Sequence, residues 1–108
     1  MVEYKEELDA IFGSLADGTR RDILKRVSKS DLSVSEIAAP YSLTLAAISK
    51  HVQVLERAKL VHKKRHGRQF MISLSPAAFA PVSAYFTYYE QLWNNRFDRL
   101  EKHLMNPG

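Results

Sequence analysis

The stretch Ser33–Leu74, SVSEIAAPYSLTLAAISKHVQVLERAKLVHKKRHGRQFMISL, falls into three pieces whose order decides the fold. Ser33 and Glu36 stand at capping-box spacing, where each side chain answers the other's backbone N–H, so a helix is expected to start at Val34. Pro40-Tyr41-Ser42 breaks that helix, and Thr44 is placed to cap a second one running to roughly Ala58. In this second helix Ile48, Val52 and Leu55 recur every three or four residues and predict the buried stripe. Ala46, Ala47, Ser49, Lys50 and Gln53 are left to face outward. Leu60-Val-His-Lys-Lys-Arg65 and Arg68-Gln-Phe-Met-Ile-Ser-Leu74 then flank the pair His66-Gly67, a hairpin pattern with glycine at its tip. The pieces make a helix-turn-helix over 33–58 followed by a basic wing over 60–74.

Outward from this centre the chain reads as helix. Tyr4, Leu8, Ile11, Phe12 and Leu15 fall at helical spacing and predict an amphipathic first helix over 3–15. Asp17 is placed to cap the next, whose inner stripe is Ile23, Leu24 and Val27. After the wing, Ser75-Pro76 restarts a helix with serine as cap and proline at the first helical position. Pro81 ends that short piece and opens a long helix over 82–104, about 35 Å at the usual rise. Asn106-Pro-Gly108 is expected to fray. The expected fold is one mainly α domain over 1–108, with five to six helices and a two-stranded β-hairpin wing.

At 108 residues, 45% hydrophobic and 26% charged, the chain has the composition of a single soluble domain. No apolar run approaches the roughly 20 residues of a membrane span, and the acidic start Met1-Val-Glu-Tyr-Lys-Glu-Glu7 has no signal-peptide core, so no membrane partner and a cytoplasmic location are expected. With no cysteine, disulfides and thiolate metal sites are excluded. The net charge of +4 is unevenly spread. Between Thr44 and Phe70 seven basic residues face Glu56 alone, a net +6, while the rest of the chain carries −2. Such a concentrated positive field is the footprint of a nucleic-acid contact.

The residue types on that surface suit double-stranded DNA. Thr44, Ala46, Ala47, Ser49, Lys50 and Gln53 form the expected groove-facing set: Gln pairs bidentately with adenine, Lys reaches guanine or phosphate, Ser serves either, and alanine allows close approach or meets thymine methyls. On the wing, Lys63, Lys64, Arg65, His66 and Arg68 are expected to meet phosphates or the minor groove. Those nearest the tip, Arg65, His66 and Arg68, are favoured because alternate hairpin residues face opposite ways. His51 is expected to pack partly inward. Of Arg20 and Arg21, one is expected in an internal ion pair, so both stay outside the site. No nucleophile stands with a histidine and an acid, and no glycine-rich phosphate loop or metal-ligand cluster is present, so an enzyme is not expected and no cofactor is implied.

The last predicted helix carries more apolar surface than one small domain can cover. Tyr85, Phe86, Tyr89, Leu92, Trp93, Phe97, Leu100 and Leu104 are spaced by three and four residues, and a patch of that size marks an interface. Homodimerisation is expected through 82–104 with help from 3–15. The interface residues are Leu8, Phe12, Tyr85, Tyr89, Trp93, Phe97, Leu100 and Leu104.

Leu15-Ala-Asp-Gly-Thr-Arg-Arg-Asp-Ile-Leu24 resembles the opening signature of ArsR-type winged-helix repressors. Ala47-Ile-Ser-Lys-His-Val-Gln-Val-Leu-Glu-Arg-Ala-Lys-Leu-Val61 is similar to their recognition helix and its exit into the wing. His66-Gly67-Arg68 resembles the wing tip, and the helix with Trp93, Arg96, Leu100 and Leu104 is similar to the C-terminal dimer helix of one branch. The departures are informative. Gly18 stands where proline is frequent, Lys59 where glycine is usual, and Ser33 and Ser35 where metal-sensing members carry Cys-Val-Cys. Serine cannot replace a soft thiolate ligand. The resemblance therefore implies a metal-independent, autorepressor-like branch: a homodimeric repressor on an imperfect palindrome. Two other readings stay open, a regulator sensing a metal or small ligand at the dimer interface and a winged-helix protein-interaction module. The sequence names no small-molecule effector.

Overall fold

A computed structural model describes residues 5–105. The elements in chain order are α1 (Lys5–Ser14), α2 (Gly18–Lys29), β1 (Leu32–Ser33), α3 (Val34–Ala38), α4 (Leu45–Arg57), β2 (Val61–His66), β3 (Gln69–Leu74) and α5 (Ala80–Met105), with a 3-10 turn at Pro76–Phe79. The expected start of the first helix at Glu3 and Tyr4, and the expected fraying of 106–108, lie outside the described residues.

The predicted caps close the helices they were assigned to. Asp17 accepts the Arg20 N–H at 3.1 Å to open α2. Ser33 Oγ accepts the Glu36 N–H at 3.1 Å while Glu36 Oε1 accepts the Ser33 N–H at 2.9 Å, a complete capping box. Thr44 Oγ1 accepts the Ala47 N–H at 3.1 Å to open α4. These bonds satisfy N–H groups that a helix start leaves unpaired. They also lower two acid pKa values: the Arg20 backbone N–H holds Asp17, and the Ser33 N–H holds Glu36, below the usual carboxylate range.

The expected hairpin wing is present as β2 and β3, and it is extended beyond the expected two strands by β1, a third antiparallel strand in the order β1-β3-β2, with Leu32 opposite Ile72 and Ser33 opposite Met71. Two residues carry no strand periodicity, and their pairing depends on a β3 that lies far along the chain. Ser75 does not cap the turn that follows it, since its hydroxyl lies 2.7 Å from His62 Nδ1 on β2. Pro81 does not separate two helices either: the 3-10 turn runs directly into α5, and Pro81 sits in its first turn, where a missing N–H costs nothing.

The core draws on every element. Ile11 of α1, Ile23 and Val27 of α2, Ile37 of α3, the stripe Ile48-Val52-Leu55 of α4, Leu60 just before β2, and Val61 and Ile72 of the sheet form one buried cluster. At about 1.5–3 kcal/mol per fully buried aliphatic side chain, this cluster is the main reason α4 holds one orientation. Val82 and Phe79 close the cluster from the 3-10 turn and the root of α5. From Ser83 to Met105, however, every α5 residue is exposed. The helix projects from the domain, and the molecule measures 71 Å along its longest axis against 31 and 21 Å on the others. Among the described residues no helix is long and apolar enough to cross a membrane.

Candidate nucleic-acid interface

The arginines at the root of the helix-turn-helix are committed to the fold. Arg20 Nε donates to the Ser14 carbonyl at 2.5 Å and Nη2 to the Gly13 carbonyl at 3.4 Å, so the guanidinium sits on the last turn of α1, the end where a cation is favoured. Its Nη1 lies 3.3 Å from His51 Nδ1, which ties α1 and α2 to α4. A guanidinium only donates, so Nδ1 is the accepting nitrogen of His51. Arg21 Nη1 donates to the Leu15 carbonyl at 2.7 Å. Among the described residues neither arginine makes the internal ion pair expected of one of them: carbonyl oxygens, not carboxylates, receive both. Arg26 does the same for α3, donating to Ile37 O at 2.6 Å and Glu36 O at 2.9 Å with its guanidinium 5.4 Å from the Tyr41 ring centre. Tyr41 in turn donates its O–H to Asp22; burial first, and that bond second, push its phenol pKa up.

With α4 pinned from behind, its other side is open. Ala46, Lys50 and Gln53 are exposed and Ala47 and Ser49 half-buried, while Ile48, Val52 and Leu55 are wholly inside. Ser49 precedes Gln53 by four residues and lies on the same side of the helix. Thr44 is exposed, but its hydroxyl is used by the Ala47 amide, leaving its methyl for any outside contact. His51 is half-buried against Arg20, the inward role expected of it.

Cross-strand register divides the wing. Lys63 and Arg65 lie opposite Ile72 and Phe70 on one face, Lys64 and His66 opposite Met71 and Gln69 on the other. Gly67 turns the tip at φ 62°. All five expected wing residues are exposed, but they are not equivalent. Lys63 Nζ lies 4.0 Å from Glu56 of α4. Arg65 Nε donates to the Gly67 carbonyl at 3.1 Å, and its guanidinium stands 5.5 Å from the Phe70 ring centre. Among the described residues, Lys64, His66 and Arg68 are the wing residues whose charged or polar ends carry no such tether. Of the three tip residues favoured from the sequence, Arg65 is folded back on its own strand.

Two exposed leucines at the front of α4 were not among the expected site residues. Leu43 is 43% and Leu45 53% exposed. Leu45 precedes Ile48 by three, so its spacing imitates the buried stripe; only the first-turn position, where the stripe overhangs the core, separates it from Ile48.

At the other end of the domain, Phe12 of α1 meets Tyr85 edge-on at 5.3 Å and Phe86 at 6.2 Å. Tyr85 and Tyr89 follow at 5.1 Å, and Trp93 and Phe97 at 4.9 Å. Leu8 is half-buried; Tyr85, Tyr89, Trp93, Phe97, Leu100 and Leu104 are all exposed. The aromatics form two contacting groups along the projecting helix, one around Tyr85 and Tyr89 and one of Trp93 and Phe97. Ser33 and Ser35 line an open recess with Glu36, His66, Gln69 and Met71, and the Ser33 hydroxyl is already engaged in the α3 cap. Among the described residues, no three His, Cys, Asp or Glu side chains are grouped to hold a metal ion.

A helix-turn-helix domain family matches residues 15–64. The chain is 35% identical over 74 residues to the HTH-type transcriptional regulator Rv2034 of Mycobacterium tuberculosis, covering 68% of this chain and 69% of that protein. It is 28% identical over 68 residues to the transcriptional repressor SdpR of Bacillus subtilis, covering 63% of this chain and 76% of that one. In structure it is similar to the ArsR family transcriptional regulator RHA00566, with a TM-score of 0.78 and 34% identity over 87% of this chain and 97% of that one.

Proposed function

The chain belongs to the ArsR family of winged helix-turn-helix transcriptional regulators, and from that premise we propose that it works as a homodimeric repressor whose two α4 helices enter successive major grooves of an imperfect palindrome. Such regulators are not enzymes, and this reading assigns none of the residues above to catalysis. Ala46, Ala47, Ser49, Lys50 and Gln53 face base edges, with the Thr44 methyl beside them. Lys64, His66 and Arg68, supported by Lys63 and Arg65, lie along the flanking backbone. The dimer forms through α5 and α1, using Leu8, Phe12, Tyr85, Tyr89, Trp93, Phe97, Leu100 and Leu104, and sets the half-site spacing near the roughly 34 Å of one helical turn. With no thiolate available, control does not run through the thiolate metal site, and the protein operates in the cytoplasm as an autorepressor.

One observation carries this reading above all: α4 is buried to completion on one side and bare on the other, and the bare side lies beside a wing of like positive charge. On this reading Lys50 and Gln53 meet the base edges of the groove, and Lys64 and Arg68 meet the phosphates beside it.

The test is a mobility-shift titration on duplex from the region upstream of the chain's own coding sequence, against random duplex of equal length. Gln53→Ala combined with Ser49→Ala is expected to lower the specific-to-nonspecific ratio, by about 1–3 kcal/mol for each good hydrogen-bonded base pairing that the substitutions remove. A ratio that does not move places sequence reading elsewhere than on α4.

A further inference from the structure

Leu45 is the first residue of α4 and is 53% exposed. A single exposed leucine on a protein surface needs no explanation. This one stands at the leading end of the side presented to DNA: Leu45, Ser49 and Gln53 are spaced by four, so they line one edge of the helix, with Ala46 and Lys50 next to them. Leu43, its exposed neighbour, has a local role open to it, because it precedes the cap by one and Ile48 occupies the matching position of a hydrophobic staple. Leu45, at the first helical position, occupies neither position of that staple. The hydroxyl between them, that of Thr44, is turned back into the helix. The front of α4 is therefore an apolar surface made of Leu45, the Thr44 methyl, Ala46 and Ala47, and the polar groups begin only one turn later at Ser49.

We infer that Leu45 is a specificity-determining residue, reading the 5-methyl group of thymine at the outer edge of each half-site; the inference rests on the DNA-binding reading above. The first residues of a recognition helix are those that reach base edges. In the major groove the thymine methyl is the one apolar feature any base pair displays, so an apolar side chain placed there discriminates thymine from cytosine and from the purines. Lys50 and Gln53, farther along, take the hydrogen-bonding positions. The half-site then has two parts: a thymine-bearing step under the start of α4, and a step read by hydrogen bonds under its second and third turns.

The experiment selects duplexes from a random library with the full chain, then replaces each thymine of the enriched half-site by deoxyuridine, which removes the methyl and leaves base pairing intact. For the wild-type protein, one position is expected to weaken binding about fourfold when its methyl is taken away from the apolar surface. For Leu45→Ala, affinity for the thymine duplex is expected to fall by a similar factor or more, and deoxyuridine at that position is expected to make no further difference. Alanine is the best helix former and Leu45 lies outside the core, so the variant keeps its fold. An enriched duplex bound equally with thymine and deoxyuridine, or a Leu45→Ala protein as sensitive to the methyl as wild type, overturns the contact. A library from which no duplex is enriched overturns the DNA-binding reading itself, and this inference with it.

Discussion

The amide of Leu60 reaches back to the carbonyl of Leu55 at 3.1 Å, closing the end of α4 across Lys59, whose φ is 65°. Lys59 donates to the Glu56 carbonyl at 2.9 Å, completing the paired bonds of a helix stop that usually ends on glycine. Nothing about the turn has shifted to suit the lysine; the backbone adopts the left-handed conformation regardless. Crowding of a Cβ there costs about 1–2 kcal/mol, and glycine's extra freedom in the unfolded chain returns about half of that. Lys59→Gly is therefore expected to stabilise the domain by about 0.5–1 kcal/mol, seen as a higher urea midpoint at unchanged slope. A lower midpoint would show that the lysine side chain supplies something its backbone position does not suggest.

Acid should unfold the domain through its caps. Asp17 and Glu36 are held below their ordinary pKa values by the backbone amides of Arg20 and Ser33. A carboxyl with a lowered folded-state pKa binds fewer protons folded than unfolded, so its stabilisation is complete above the unfolded value, near ~4, and is lost as pH falls through the folded one. The melting temperature is expected to drop below about pH 4.5 for this reason. Asp17→Asn with Glu36→Gln should flatten that drop, and a double variant with the wild-type acid profile would remove the caps from the explanation.

The wing should act through charge alone. Neutralising a phosphate contact lowers the salt dependence of binding by about one per contact, so Lys64→Ala and Arg68→Ala are each expected to weaken all duplexes alike and to make log K fall less steeply with log salt. Lys63→Ala should do less, because Lys63 already faces Glu56 at 4.0 Å. Slopes unchanged by all three variants would take the wing out of the interface.

Trp93 and Phe97 stack edge to face at 4.9 Å, 58% and 51% exposed, on a helix that touches its own core only at its root. Replacing both with Asp is expected to dissociate the dimer in sedimentation, since buried aromatics dominate such seams. It should also abolish operator binding, although α4 is untouched. The projecting position makes the result clean: helical circular dichroism of the domain should persist. A double variant that remains dimeric and still binds would assign dimerisation to another surface.

Much of the helix-turn-helix was legible in the chain because its determinants are local. Capping pairs Ser33–Glu36, Asp17–Arg20 and Thr44–Ala47 act over three residues, and the stripe Ile48-Val52-Leu55 over seven, distances a single helix spans by its own geometry. The Gly67 turn is local in the same sense. The exposed polar side of α4 followed by subtraction, once the buried stripe was placed.

Tertiary structure decided what depends on partners far along the chain. β1 exists only because Leu32 and Ser33 meet β3, and no two-residue segment announces that pairing. Nothing local in the sequence marks the partners of Arg20, Arg21 and Arg26, which are carbonyls that helix ends 6 to 11 residues away in the chain present to them. Lys63 and Arg65 are distinguished from Lys64 and Arg68 only by the neighbours the folded sheet supplies. The apolar positions of α5 were visible as a pattern, yet burial by the domain or exposure beyond it is a matter of where the helix points. A periodic stripe records which residues share a side; the direction of that side is set by the packing of Val82 and Phe79 at the helix root.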